Sequence, residues 1–339
     1  MQNSNSIILA IESSCDDTSC AILKGNVVLS NFTANQKIHE QYGGVVPELA
    51  SRDHQKNIVP VVHEALKKAN MTLSQVNAIA VTRGPGLMGS LLVGLNFAKS
   101  LSLSLNIPLI EVDHMQAHVL AHFIVDAEQK IPPFPFVCLT VSGGHTQIIK
   151  VTDHLKFELL GQTIDDAVGE AFDKAAKVLG LPYPGGPMID KFAQNGDAHR
   201  FKFSDTKMQG YDFSFSGIKT SFLYFIQKET AKEPDFIKNN ISDICASYQY
   251  HLIQILLKKS KLLLDEADIK HFAISGGVSA NSELRKQVKA LEQHGIETYI
   301  PKFEYCTDNA AMIGIVGFYK LLRQEFSSLA ISPLTRQTF

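Results

Sequence analysis

The chain has 339 residues and a formal net charge of -2 at pH 7; 45% of its residues are hydrophobic and 19% are charged. That length and apolar content supply more than one hydrophobic core and exclude a disordered chain. The balance of charge excludes the overall basic signature of a nucleic-acid binder.

Residues 1–6 are polar and carry no basic segment, and the apolar run 7–11 is too short for a signal sequence. That run reads as a strand, followed by a polar turn over 12–18 and a second strand over 19–23. Gly25-Asn26 offers a hairpin turn into a third short strand at 27–29. Strand, polar turn, strand is how an actin-like nucleotide fold opens. Residues 47–70 have helical spacing, 78–81 read as a buried strand, and Arg83-Gly-Pro-Gly-Leu-Met-Gly-Ser90 leads into a helix over 90–105. The stretch 91–110 is the foremost membrane candidate, but Asn96, Lys99, Asn106 and three serines mark it as a buried or half-buried helix. A strand over 109–112 then feeds a helix carrying His114 and His118.

Residues 131–135, Ile-Pro-Pro-Phe-Pro, resist both helix and central strand, so a domain boundary is expected there. The opening pattern recurs beyond it: a strand over 136–141, the turn Ser142-Gly-Gly-His145 and a strand over 146–151. Two similar lobes are expected, an N-terminal one over 1–130 and a C-terminal one over 131–309. Residues 310–339 are expected to pack back on the first lobe, with the active site in the cleft between the two. A long helix follows over 241–264, and a strand over 271–275 ends in Gly276-Gly277 before a helix over 281–292. After a strand over 297–300, Asp308 opens a last helix to about 322, and the tail beyond Phe326 is expected to be loosely held. Strands and helices alternate, so the class is α/β.

Residues four apart share one face of a helix, so the imidazoles of His114 and His118 can grip one metal ion. His122 drifts off that face and suits a packing or surface role. Asp308, after a strand and at a helix start, is the natural third ligand; its plain alternative is an ordinary helix cap. Met115 stands where a zinc protease of the HExxH type needs glutamate, which argues against a peptidase. The glycine turns at Ser142–His145, Pro184-Gly-Gly186 and Ser275-Gly-Gly277 can cradle phosphate, or simply turn the chain. Asn281 can hold a base or ribose, or cap its helix. Asp166, Glu170 and Asp173 fall on one helical face, either a ligand site or a solvated one. Lys258, Lys259 and Lys261 read as a solvated face. Glu12 and Asp16 end a strand in a turn, which suits either a cation-bound water or simple capping, and both are candidates for the catalytic base. The five cysteines, odd in number and without a CxxC pair, fit a reducing cytosol, so a cytoplasmic protein with no membrane attachment is expected.

Ten motifs, in order and over nearly the full length, resemble those of the TsaD (YgjD/Gcp) family of bacterial type, the transferases that make t6A in tRNA. They are Glu12-Ser-Ser-Cys-Asp16, Gly43-Gly-Val-Val-Pro-Glu48, Gly84-Pro-Gly-Leu87, His114-x-x-x-His118, Val141-Ser-Gly-Gly-His-Thr146, Gly169-Glu-Ala-Phe-Asp173, Tyr183-Pro-Gly-Gly-Pro187, Phe213-Ser-Phe-Ser-Gly-Ile-Lys219, Ser275-Gly-Gly-Val278 and Thr307-Asp-Asn309. The resemblance implies an actin/Hsp70-like (ASKHA) two-lobed fold, each lobe a mixed sheet flanked by helices. It implies that His114, His118 and Asp308 bind one divalent metal, Fe(II) or alternatively Zn(II). It places substrate against Val141, Ser142, Gly143, Gly144, His145, Asp173, Gly186, Asp190 and Asn281. The implied donor is threonylcarbamoyl-AMP, the acceptor N6 of adenosine 37 in tRNAs reading ANN codons, and the implied partners are TsaB-like and TsaE-like proteins. Thr140 stands where archaeal and eukaryotic relatives have a tyrosine that can approach the metal. The competing readings are an actin-like ATPase or sugar kinase, a non-catalytic nucleotide-binding scaffold and, further off, a metallopeptidase. The histidine pair discriminates among them, because magnesium prefers oxygen ligands.

Overall fold

The computed structural model describes residues 5–204 and 208–336, so the polar residues 1–4 and the last residues 337–339 lie outside the described residues. The chain divides into two compact units. The first runs to Pro132 and also takes Asp153–Lys156 and the chain from Pro301 onward; the second is Pro133–Thr152 and Phe157–Ile300.

The first unit opens with β1 (Ile7–Glu12), β2 (Thr18–Lys24) and β3 (Val27–Ala34). Helix α1 (Pro47–Lys68), β4 (Ala78–Gly84), α2 (Met88–Leu105), β5 (Leu109–Asp113) and the short α3 (His114–Leu120) follow. The sheet order is β3-β2-β1-β4-β5. β1 pairs antiparallel with β2, and parallel with β4, which pairs parallel with β5. β1 is apolar throughout because both its faces are covered. Ile7, Leu9 and Ile11 join Ile58, Val61 and Val62 of α1 and Leu95 and Ala98 of α2 in one core. Ile8 faces the other way, toward the last helix of the chain, where a side chain at Gly317 would meet Ile8 Cγ2 at 3.7 Å and Ala80 Cβ at 2.5 Å.

The second unit repeats the plan with β6 (Phe136–Val141), β7 (Thr146–Asp153), β8 (Lys156–Gln162), helices α4 (Val168–Val178), α5 (Gly185–Ala193), α6 (Ser216–Lys232) and α7 (Phe236–Ala267), then β9 (His271–Ser275), α8 (Ser282–Ala290) and β10 (Glu297–Tyr299). Its order, β10-β9-β6-β7-β8, is that of the first sheet with the equivalent strands in the equivalent places. Both are mixed sheets flanked by helices. The chain then returns to the first unit with α9 (Ala310–Leu322), which packs on β1 and β2.

Several details depart from the sequence reading. Asp308 does not cap the last helix: Asn309 does, its Oδ1 accepting from Met312 N at 3.0 Å. Asp166 precedes α4 rather than sharing its face, and pairs with Lys174 and Lys219 at 3.0 and 2.7 Å. His122 leaves the histidine helix for a 3₁₀ turn at Ala121–Phe123. Lys259 is no free surface cation, since it donates to the Met208 carbonyl at 2.8 Å. The segment beyond Phe326 is tied down by backbone bonds, Ser327 N to Leu109 O at 2.8 Å and Leu334 N to Arg83 O at 2.9 Å. Among the described residues one helix, Met88–Leu105, is long and apolar enough to cross a membrane by length and composition. Its Leu91, Leu95 and Ala98 are buried, and it packs on β4 and α1.

Candidate metal centre

β5 ends at Asp113, whose Oδ1 accepts from Gln116 N at 2.8 Å and so caps α3. The cap starts the helix at His114 and puts His118 one turn on, with ring centroids 4.7 Å apart. Asp308, just before the Asn309 cap of α9, brings its Oδ1 to 3.4 Å from His114 Nε2 and 3.2 Å from His118 Nε2. One ligand atom from each of the three lies within 4.8 Å of the others. Both imidazoles are buried, whereas the Asp308 side chain is 30% exposed, so the cluster is closed on the histidine side and open at the carboxylate.

The far nitrogen of His114 is already committed. Its Nδ1 lies 3.1 Å from Glu12 Oε2 and 3.3 Å from Ser14 Oγ. Glu12 is itself fully buried and accepts from Thr82 Oγ1 at 2.6 Å and Ser14 N at 2.5 Å. A carboxylate on Nδ1 fixes the tautomer and turns the Nε2 lone pair toward Asp308, the arrangement typical of metal-bound histidine. His118 supplies the test of fit. Both its ring nitrogens are buried without a hydrogen-bond partner among the described residues, and Nε2 faces the Asp308 carboxylate off-line for a hydrogen bond. A cation would satisfy that orphaned atom, and the nitrogen-rich donor set suits iron or zinc rather than magnesium.

Electrostatics agree. Burial alone would lower the His114 pKa, but Asp308 and Glu12 outweigh it and hold the ring well above the ordinary histidine value. Burial also pushes Asp308 up, yet His114 and His118 outweigh that and hold its carboxyl well below the usual range. Burial keeps His118 below its ordinary value, that is, neutral and able to donate a lone pair. Asp17, on the turn after β1, is pushed up to about 7 by burial and by the neighbouring Asp16 and Asp308.

The second unit brings the predicted substrate residues into glycine turns. Ser142 N donates to His145 O at 2.8 Å, and a side chain at Gly143 or Gly144 would meet nothing within 4 Å, so that turn is open. Gly276 adopts φ +84° against the Val141 carbonyl, a conformation and approach that only glycine allows. Gly169, at the start of α4, donates to Ser142 O at 3.2 Å, so a helix N-terminus abuts the turn. Val141 is wholly buried, which leaves only its backbone for a ligand. The polar candidates also hold structure. Asp173 Oδ1 accepts from Gly185 N and Gly186 N at 2.8 and 3.2 Å, and Asp190 accepts from Ser282 Oγ at 2.6 Å. Asn281 caps α8 through Leu284 N at 3.0 Å and donates to Gln249 Oε1 at 2.7 Å. Thr140 is buried and bonded to Ser275 Oγ at 2.9 Å. Sequence reasoning missed Ser14 and Thr82; nothing in their spacing signals contacts with His114 or Glu12.

Two units of one mixed-sheet topology, the first with a His–His–Asp cluster, define an actin/Hsp70-like (ASKHA) protein with a candidate metal centre. The fold is shared with full-length HypF in its phosphate- and nucleotide-bound form, at a TM-score of 0.63 and 15% identity, over 96% of this chain and 48% of that one. It is also shared with component A of (R)-2-hydroxyglutaryl-CoA dehydratase from Acidaminococcus fermentans, at a TM-score of 0.51 and 16% identity, over 93% and 97% of the two chains. The sequence profile of TsaD, tRNA N6-adenosine threonylcarbamoyltransferase, matches residues 27–315. The tRNA N6-adenosine threonylcarbamoyltransferase of Christiangramia forsetii is 61% identical over 98% of both chains. That of Riemerella anatipestifer is 58% identical over 98% of this chain and 97% of its own. The chain belongs to the TsaD family.

Proposed function

We propose that this chain transfers the threonylcarbamoyl group from threonylcarbamoyl-AMP to N6 of adenosine 37 in tRNAs reading ANN codons. Family membership and the convergence of His114, His118 and Asp308 support the reading. Those three side chains would hold one divalent metal, Fe(II) in preference to Zn(II). Bound there, the metal supplies Lewis-acid polarisation of the donor's carbonyl.

The chain's own residues do the rest. Glu12 holds the proton of His114 at Nδ1 and keeps Nε2 free as a ligand. The open Ser142–His145 turn, beside the N-terminus of α4, would present the backbone of Gly143 and Gly144 to the adenylate phosphate. Asp173, Asp190 and Asn281 hold the neighbouring helix starts in place, which orients the turns that take ribose and base. Glu12 is fully buried and already accepts three hydrogen bonds, so it orients rather than acting as base. Asp16, partly exposed on the same turn, would take the proton from the attacking amine. The transfer would take place in the cytosol, with TsaB-like and TsaE-like proteins as partners.

The test is transfer in vitro from synthetic threonylcarbamoyl-AMP to unmodified tRNA with those partners, read by mass spectrometry of nucleosides. Modified adenosine with the native chain, absent with His118→Ala, supports the proposal. ATP-dependent phosphorylation of a sugar without tRNA modification would replace it with the kinase reading.

A further inference from the structure

His54 of α1 is fully buried, and both its ring nitrogens are engaged. Nδ1 lies 2.7 Å from Thr18 Oγ1 and Nε2 3.0 Å from the Cys15 carbonyl. A carbonyl only accepts, so Nε2 carries the proton and Nδ1 accepts from the Thr18 hydroxyl. Burial lowers the pKa, against the Cys15 bond and the nearby carboxylates, so the ring stays neutral and this tautomer persists. The Cys15 carbonyl takes a second donor, Ser90 Oγ of α2, at 2.9 Å, and Ser13 Oγ donates to the Ser90 carbonyl at 3.0 Å. The turn between β1 and β2 is therefore suspended from α1 and α2.

An ordinary core histidine needs only satisfied nitrogens. What distinguishes His54 is that both bonds go to the one turn whose Glu12 and Ser14 meet His114 Nδ1. Partners behind a metal-bound histidine govern its orientation, and losing them typically costs about 10–100-fold in metal affinity.

We propose that His54 is a positioning residue for the metal centre: it sets the Glu12–Thr18 turn so that Glu12 and Ser14 hold His114 with Nε2 toward the ion. The proposal rests on the metal reading above. The test is cobalt(II) titration of the metal-free full-length chain, followed by visible absorption, with thermal unfolding alongside. His54→Leu removes both bonds at similar volume and weakens cobalt binding about tenfold or more while unfolding stays cooperative. His54→Gln, whose amide N–H can reach the Cys15 carbonyl, recovers most of the affinity. Cobalt binding by folded His54→Leu equal to wild type overturns the proposal, as does a loss in His54→Gln as large as that in His54→Leu. Should His54→Leu fail to fold, Thr18→Val carries the test, since it removes only the donor to Nδ1; a severalfold weaker site supports the proposal and an unchanged one overturns it. A wild-type chain that binds no cobalt overturns the metal reading itself, and this inference with it.

Discussion

At the scale of the residue, the candidate metal site is an arrangement of protons as much as of ligands. His114 is held well above the ordinary histidine value of 6.5 by Asp308 and Glu12, against the pull of burial. A group with a raised folded pKa stabilises the fold fully below its unfolded value and loses that contribution as pH rises through the folded one. The metal-free protein should therefore lose stability as pH climbs above about 6.5, while a cation that replaces the proton should restore it. Thermal unfolding with and without zinc is expected to show a metal-dependent rise in melting temperature that grows from pH 6 to 9. A rise that shrinks with pH would contradict a proton-for-metal exchange at His114. His118→Ala tests the ligand itself: it removes a buried imidazole beside Asp308 and leaves a cavity, so the metal-free variant should still unfold cooperatively but at a lower melting temperature than wild type. Elemental analysis of that variant should show the metal gone. Glu12→Gln keeps the shape but gives up the charge on Nδ1, and cobalt titration should show affinity about 10–100-fold lower.

At the scale of the element, what was legible in the sequence follows from what burial demands of it. β1 reads as a strand because an all-apolar run is what a doubly covered central strand requires. The i, i+4 histidines read as a pair because a helix fixes their face, and the recurrence after residue 135 reads as a second unit because β6 and β7 repeat the β1–β2 pattern. Contacts across long stretches of chain were not legible. Glu12 reaches Thr82 and His114, and His54 reaches Cys15, through tertiary packing that no spacing encodes. The strap from Ser327 to Thr335 reads as loose in the sequence because much of what holds it is backbone bonding, which every sequence offers. Asp308 was read as the helix opener, yet Asn309 takes the cap and so frees Asp308 to turn toward the histidines. Asn309→Ala should cost about 1 kcal/mol in denaturant unfolding and also weaken metal binding, because the start of α9 sets the Asp308 backbone. Loss of stability with unchanged metal affinity would show that the cap and the ligand are independent.

At the scale of the whole molecule, one sheet topology occurs twice. Strand orders β3-β2-β1-β4-β5 and β8-β7-β6-β9-β10 place the β1–β2 and β6–β7 turns in equivalent positions. The first turn carries Glu12, Ser14 and Asp16 and backs the candidate metal site; the second carries Gly143 and Gly144, where a side chain would meet nothing within 4 Å. The division is chemical. Carboxylates and imidazoles attract a cation, whereas exposed glycine amides beside a helix N-terminus attract phosphate. Each ligand should then order its own turn. Hydrogen exchange read by mass spectrometry should show zinc slowing amides over residues 12–18, α3 and the start of α9, with little change over 142–145. AMP should slow 142–145, the start of α4 and 276–281, with little change in α3. The protection expected from a ligand at 100 times its Kd is about 2.7 kcal/mol, well within reach of the method. If AMP alone protects α3 as strongly as zinc does, the two turns act as one cooperative site, and the separation of cation from phosphate between the duplicated sheets fails as an account of how this fold works.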